Sequence, residues 1–161
     1  MTGKKITGDD IGIDEKRRER MQEHGTSEAY EKSGAAMRTA LAASRRGEDK
    51  LKEGCQEEAD SNFLEAIAWY NLVIELQSAS PDQFRCSDRA MMYSNRAYEK
   101  LRLGRYEEAI ADCTTGIELH PISCSLYSIR GKANTKLGRH EEAAADLQKA
   151  SELEILSEIP L

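Results

Sequence analysis

The sequence predicts an all-α fold of stacked antiparallel helix hairpins, and three observations predict it. Only three prolines stand among 161 residues, while Ala, Leu, Glu, Lys and Arg are plentiful, a composition that favours helix. Residues 103–121, LGRYEEAIADCTTGIELHP, return at 137–155 as LGRHEEAAADLQKASELEI, a shift of 34 that marks a repeated supersecondary unit. The connections between periodic segments are short, which lays successive helices antiparallel. One such hairpin cannot bury its own apolar stripe, so the hairpins stack.

Each element follows in order. Residues 1–13 are Gly and Asp rich without a periodic apolar face, and read as a flexible leader. Asp14 and Glu15 precede KRRER, placing acids at the positive end of a short polar helix that runs to Gln22 or Glu23. Gly25 interrupts it, and Thr26 or Ser27 caps a second segment whose stripe is Tyr30, Ala36 or Met37, Leu41 and Ser44. Residues 14–46 therefore form an N-terminal extension or cap, ahead of a repeat domain at 47–161. Within that domain helices are expected at 48–60, 64–78, 88–103, 107–118, 124–137 and 141–157. Turns fall at Ser61-Asn62, Gly104-Arg105, His120 to Ser123 and Gly138-Arg139, with a longer connection from Ala79 to Ser87 that holds Pro81. Ser87 and Ser123 read as N-caps. Gly104 and Gly138 each follow a complete helix, where a residue free to turn left-handed ends it cheaply.

Composition also excludes function classes. The formal charge of -6 gives no global attraction for phosphate backbones, against nucleic acid as a partner. No apolar run approaches the roughly 20 residues of a membrane span, so membrane insertion is not expected, and the N-terminus lacks the apolar core of a secretory signal. Of the cysteines at 55, 86, 113 and 124, three (Cys55, Cys113, Cys124) fall where helical packing wants a small apolar residue. Free thiols and a cytoplasmic location follow. His24, His120 and His140 are far apart and no Cys-x-x-Cys occurs, so no metal site is expected. Glu107-Glu108 and Glu141-Glu142 open helices, where acids offset the dipole. No catalytic residue and no cofactor are implied.

The repeat itself carries a resemblance. Tyr127, Gly131, Gly138, His140, Ala143, Leu147 and Ala150 echo Tyr93, Ala97, Gly104, Tyr106, Ala109, Cys113 and Gly116 at a shift of 34 throughout, with Pro121 closing the earlier copy. Gly54, Phe63, Ala66, Tyr70 and Val73 form a copy upstream, in which Phe63 lies 43 before Tyr106. This pattern resembles the tetratricopeptide repeat, with copies at about 47–80, 90–123 and 124–157, and the resemblance implies that the all-α hairpins wind into a right-handed superhelix. The resemblance implies that Ala66, Ala109 and Ala143 lie where helices cross most closely, and that Phe63, Tyr106 and His140 plug the gap between the two helices of a hairpin. Ser61 then replaces the turn glycine of the first copy, and lengthened helices absorb the nine extra residues near SPDQFRCSD.

What the resemblance implies for function is a peptide-binding groove lined by the first helix of each repeat. The residues placed there are Leu51, Cys55 and Glu58; Met91, Ser94, Asn95, Tyr98 and Arg102; and Ser125, Ile129, Lys132 and Lys136. YSNRAY and its flanking helices resemble one branch of the family, the three-repeat co-chaperones, whose groove clamps the acidic C-terminal tail of heat-shock chaperones with Lys, Asn and Arg. Asn95 keeps its clamp residue, whereas Leu51, Cys55, Ser125 and Ile129 replace the other four. The reading is thus a non-catalytic adaptor that binds a different peptide or helix of a partner protein. Two alternatives stand beside it: a co-chaperone that binds chaperone tails, and an assembly subunit or homodimer that self-associates through its N-terminal extension or through Leu147, Leu153, Leu156 and Ile159.

Overall fold

The structure, a computed structural model, describes residues 28–158. It consists of six α-helices: α1 (Glu28–Lys52), α2 (Gln56–Ala79), α3 (Cys86–Arg102), α4 (Tyr106–Leu119), α5 (Cys124–Lys136) and α6 (His140–Glu158), with one 3-10 turn (Pro81–Gln83) before α3. The leader, the polar helix, the Thr26 or Ser27 cap and Ile159 lie outside the described residues. The helices pair as α1·α2, α3·α4 and α5·α6, and each pair stacks on the next.

The last four helices match the expected boundaries within two residues, but the first hairpin does not. A single helix runs from Glu28 through Lys52, so the expected break at 46/47 falls inside α1 and the expected helix at 48–60 does not form. The turn is at Glu53-Gly54-Cys55, and the Ser61-Asn62 turn lies within α2. Gly54, Gly104 and Gly138 share φ values of +81, +72 and +73. At all three the next residue's N–H reaches back five positions, Cys55 to Lys50, Arg105 to Lys100 and Arg139 to Asn134, each at 2.9 Å. That is the left-handed C-terminal motif that glycine permits. Gly54, not Ser61, is therefore the turn glycine of the first hairpin, and the separation of the first two copies is 50, not 43. The excess sits largely in longer helices, 24 residues in α2 against 14 in α4 and 17 in α3 against 13 in α5.

Packing confirms the register. At the helix crossing within each hairpin, Gly47 faces Phe63 and Gly131 faces Leu147. The equivalent pair, Ala97 and Cys113, is buried in one cluster, so a larger residue on the second helix is met by glycine and a small one by alanine. Ala59, Ala109 and Ala143 are the buried alanines early in the second helices. Ala66, assigned that role from the sequence, is equivalent to Gly116 instead. Phe63 is likewise equivalent to Cys113, and His140 is exposed at the start of α6 rather than plugging a gap.

A polar brace repeats with the same spacing. Arg46 donates to Asn62 Oδ1 at 3.0 Å, Arg96 holds Asp112 through two bonds at 2.8 and 2.6 Å, and Arg130 holds Asp146 at 2.9 and 2.7 Å. Arg96 also reaches Asn71 on α2, and Arg130 reaches Thr114 on α4. Each of these two guanidiniums thereby ties its own hairpin to the one before, using the planar fork that suits a carboxylate.

Two caps expected from the sequence are absent. Helix α3 starts at Cys86 after Arg85, with Asp88 Oδ2 accepting from the Arg85 N–H at 3.4 Å. Ser123 precedes α5 but its hydroxyl pairs with Ser125 at 3.1 Å, not with the helix backbone. Among the cysteines only Cys113 is buried; Cys86 and Cys124 are exposed, Cys55 is intermediate, and all four are free. Burial pushes the Cys113 thiol up to about 12.

Candidate functional site

The first helices α1, α3 and α5 lie side by side and form one continuous face. Ser44 of α1 donates to Glu99 of α3 at 2.6 Å, Glu48 pairs with Arg102 at 2.6 Å, and Ser94 of α3 meets Ser125 of α5 at 3.2 Å. The separations of 50 and 34 arrange its residues in rows: Leu41, Met91 and Ser125; Arg45, Asn95 and Ile129; Glu48, Tyr98 and Lys132; Lys52, Arg102 and Lys136.

The sequence-predicted residues divide accordingly. Met91, Asn95, Tyr98 and Arg102 of α3, and Ser125, Lys132 and Lys136 of α5, fall on this face. Ile129 is only 7% exposed and belongs to the core with Ala97 and Ala133, so it offers little surface. Ser94 is also buried. Leu51 is exposed at the end of α1, Cys55 is in the turn and Glu58 opens α2. These three were placed seven residues late by the register of 43. Moving Leu51 and Cys55 back by seven brings Ser44 and Glu48 to the two first-repeat clamp positions. Sequence reasoning missed Leu41, Arg45 and Glu48; Gly54 was the signal that could have found them.

Charge is segregated between the two layers of the solenoid. The first helices carry six basic against four acidic residues in α1, four against two in α3 and three against none in α5. The second helices carry none against five in α2, none against four in α4 and one against six in α6. Arg45, Lys132 and Lys136 are exposed, and among the described residues none of them makes an ion pair. In a chain of net charge -6, the four rows of this face hold five basic residues, Arg45, Lys52, Arg102, Lys132 and Lys136, against one acid, Glu48.

Beneath this face lies a buried acid. Glu99 is 2% exposed, accepts from Ser44, and has a second oxygen without a partner. Burial raises its carboxyl above the usual value, partly offset by Ser44 and by the Arg102 charge. The Arg102 guanidinium lies 4.8 Å from the Phe63 ring centre and 4.4 Å from that of Tyr98. Among the described residues no group of His, Cys, Asp and Glu could hold a metal ion, and no helix is long and apolar enough to cross a membrane.

Comparison with known proteins places this geometry. The tetratricopeptide repeat profile matches residues 90–122 and 125–154. The chain is 32% identical over 97 residues to translocon at the outer membrane of chloroplasts 64 from Pisum sativum, spanning 60% of this chain but only 14% of that protein. Among solved structures, the Arabidopsis OM64 TPR domain superposes with a TM-score of 0.53 at 28% identity, over 74% of this chain and 85% of that one. The second TPR domain of human RPAP3, solved in complex with HSP70 peptide SGPTIEEVD, is 30% identical with a TM-score of 0.50, over 74% of this chain and 86% of its own. The second TPR of Spaghetti (RPAP3), bound to HSP90 peptide SRMEEVD, is 29% identical with a TM-score of 0.50, over 76% of this chain and 98% of its own. Matched in two repeats by the family profile and in its stacked helix hairpins by solved TPR domains, two of them holding HSP70 or HSP90 peptides, the chain belongs to the tetratricopeptide repeat family.

Proposed function

We propose that this domain is a co-chaperone-type adaptor that receives an acidic C-terminal tail, of the kind held by its solved relatives, across the face of α1, α3 and α5. The observation that carries the reading is the charge segregation: an acidic peptide is attracted to the basic first helices and repelled by the acidic second helices. The sequence alone placed a different peptide ahead of the chaperone tail, because four clamp positions had changed. The relatives support the tail, and the corrected register adds the cation Arg45 to the Lys132 and Lys136 already placed on the face. Arg45 is in register with Asn95, and among the described residues Lys132 and Lys136 make no ion pair. Asn95 contributes an amide able to pair with a peptide backbone. A cytoplasmic location belongs to the same reading.

Fluorescence anisotropy with labelled SRMEEVD and SGPTIEEVD peptides tests it. Saturable binding that weakens with added salt and disappears in the K132E/K136E variant is expected. No saturable binding up to high micromolar concentration would remove the proposal. Exposure at the C-terminal end favours a second reading: Leu147, Ile155 and Leu156 are 41%, 60% and 63% exposed on α6, while Leu153 is half-buried. Such a surface suits a homodimer, and light scattering on wild type and L156E separates the two readings.

A further inference from the structure

We propose that Glu48 is an internal stand-in for the ligand, occupying a carboxylate subsite on Arg102 that the bound peptide takes over. The proposal rests on the acidic-tail reading and deepens it. Glu48 comes from α1 and Arg102 from α3, both in the rows that line the basic face. Glu48 Oε1 accepts from Arg102 Nη2 at 2.6 Å, and the Tyr98 hydroxyl accepts from the same nitrogen at 3.0 Å. The opposite nitrogen, Nη1, is buried and has no partner. A guanidinium can present two parallel N–H bonds to one carboxylate, so a single bond from Glu48 leaves this group under-used.

The parts differ in how firmly they are held. Arg102 is fixed, its side chain 18% exposed and packed against Phe63, which is itself 1% exposed. Glu48 is 40% exposed by side chain, and Tyr98, the outer ring on the guanidinium, is 39% exposed. Both outer groups face solvent. Rotating Glu48 and Tyr98 outward uncovers a preplaced cation while the charge of Arg102 passes from one carboxylate to another. Lys132 shares a row with Glu48 and Lys136 with Arg102, so an acidic chain crossing from α3 to α5 meets further positive charge. The ligand group is a carboxylate, either the terminal one or a glutamate side chain of the tail.

The test measures affinity for SRMEEVD, its C-terminally amidated form and its Glu-to-Gln form, on wild type, E48Q, R102Q, E48Q/R102Q and K132E/K136E. E48Q is expected to bind the acidic peptide about two- to fivefold more tightly, the range of a half-exposed ion pair, and R102Q to remove that gain. Loss of the gain with the amidated peptide assigns the terminal carboxylate; loss with the Glu-to-Gln peptide assigns a side chain. If K132E/K136E abolishes binding but E48Q equals wild type or binds more weakly, the stand-in is overturned and the basic-face reading survives. If neither wild type nor E48Q binds, both are overturned. Binding by E48Q alone supports the stand-in in its strongest form. The Arg102 Nε–H resonance of the unmutated chain supplies a second readout: it shifts on saturation with peptide, and an unmoved resonance in a bound complex contradicts the proposal.

Discussion

Replacing Gly47 by alanine tests the register of the first hairpin, because helix propensity and packing predict opposite signs. In an open helix interior the change gains about 1 kcal/mol. Here the new methyl would meet the Phe63 ring, with Cδ1 at 2.6 Å and Cζ at 3.0 Å. Phe63 is 1% exposed and cannot swing aside into solvent. Overpacking costs about 1–3 kcal/mol, and a fixed aromatic ring belongs at the upper end, leaving a net loss of about 1–2 kcal/mol. The second hairpin supplies the control: alanine already stands there opposite Cys113, so A97G loses about 1 kcal/mol. In an F63C background, which recreates the Ala97 and Cys113 pairing, G47A is expected to recover about 1 kcal/mol. Urea midpoints of the four chains of this cycle, with unchanged slopes, give the coupling directly. Stabilisation of the otherwise wild-type chain by G47A, additive with F63C, would refute the register and return the first copy to the spacing of 43.

Other outcomes follow from the braces and buried groups. D112A is expected to cost about 3–5 kcal/mol, since Arg96 and Lys100, 16% and 10% exposed by side chain, lose their shared carboxylate; R46A, at the exposed first-repeat brace, costs less than about 1 kcal/mol by the same urea titration. The Glu99 carboxyl is raised above its ordinary 4.5 by burial, so its contribution to stability is full below the unfolded value and is lost as pH rises through the folded one. E99Q removes that loss, and its stability relative to wild type is therefore higher at about pH 7 than at about pH 4; a constant difference contradicts the assignment. Maleimide labelling of the folded chain modifies Cys86 and Cys124 first and spares Cys113 until unfolding, because burial keeps the Cys113 thiol protonated.

The sequence made the second and third repeats legible because two near-identical segments can be laid over each other, and their helices end at glycines that need positive φ. The first repeat was harder for a physical reason. Its helices are longer, so the spacing between landmarks changed while the chemistry at each landmark did not. Phe63 looked like Tyr106 because both are aromatic, yet its partner is Gly47, a glycine inside a helix that reads as a propensity defect until the ring above it is seen. The site inherited that slip: Leu51 and Cys55 displaced Ser44 and Glu48. Ile129 was placed on the surface because helix position alone does not reveal that it joins Ala97 and Ala133 in the core between α3 and α5. His140 was read as a plug by analogy with Tyr106, but Tyr106 packs against the core while His140 is exposed among the described residues. Charge segregation was present in the sequence throughout, visible only once first and second helices had been assigned.

The measurement that bears most directly on the central claim is a two-dimensional amide NMR titration of the isotopically labelled chain with unlabelled SRMEEVD peptide. Saturable shifts concentrated on Arg45, Glu48, Asn95, Tyr98, Arg102, Lys132 and Lys136, weakening as salt is added, are the expected result. Shifts spread over α2, α4 and α6, or none at saturating peptide, would contradict an acidic tail held on the basic face.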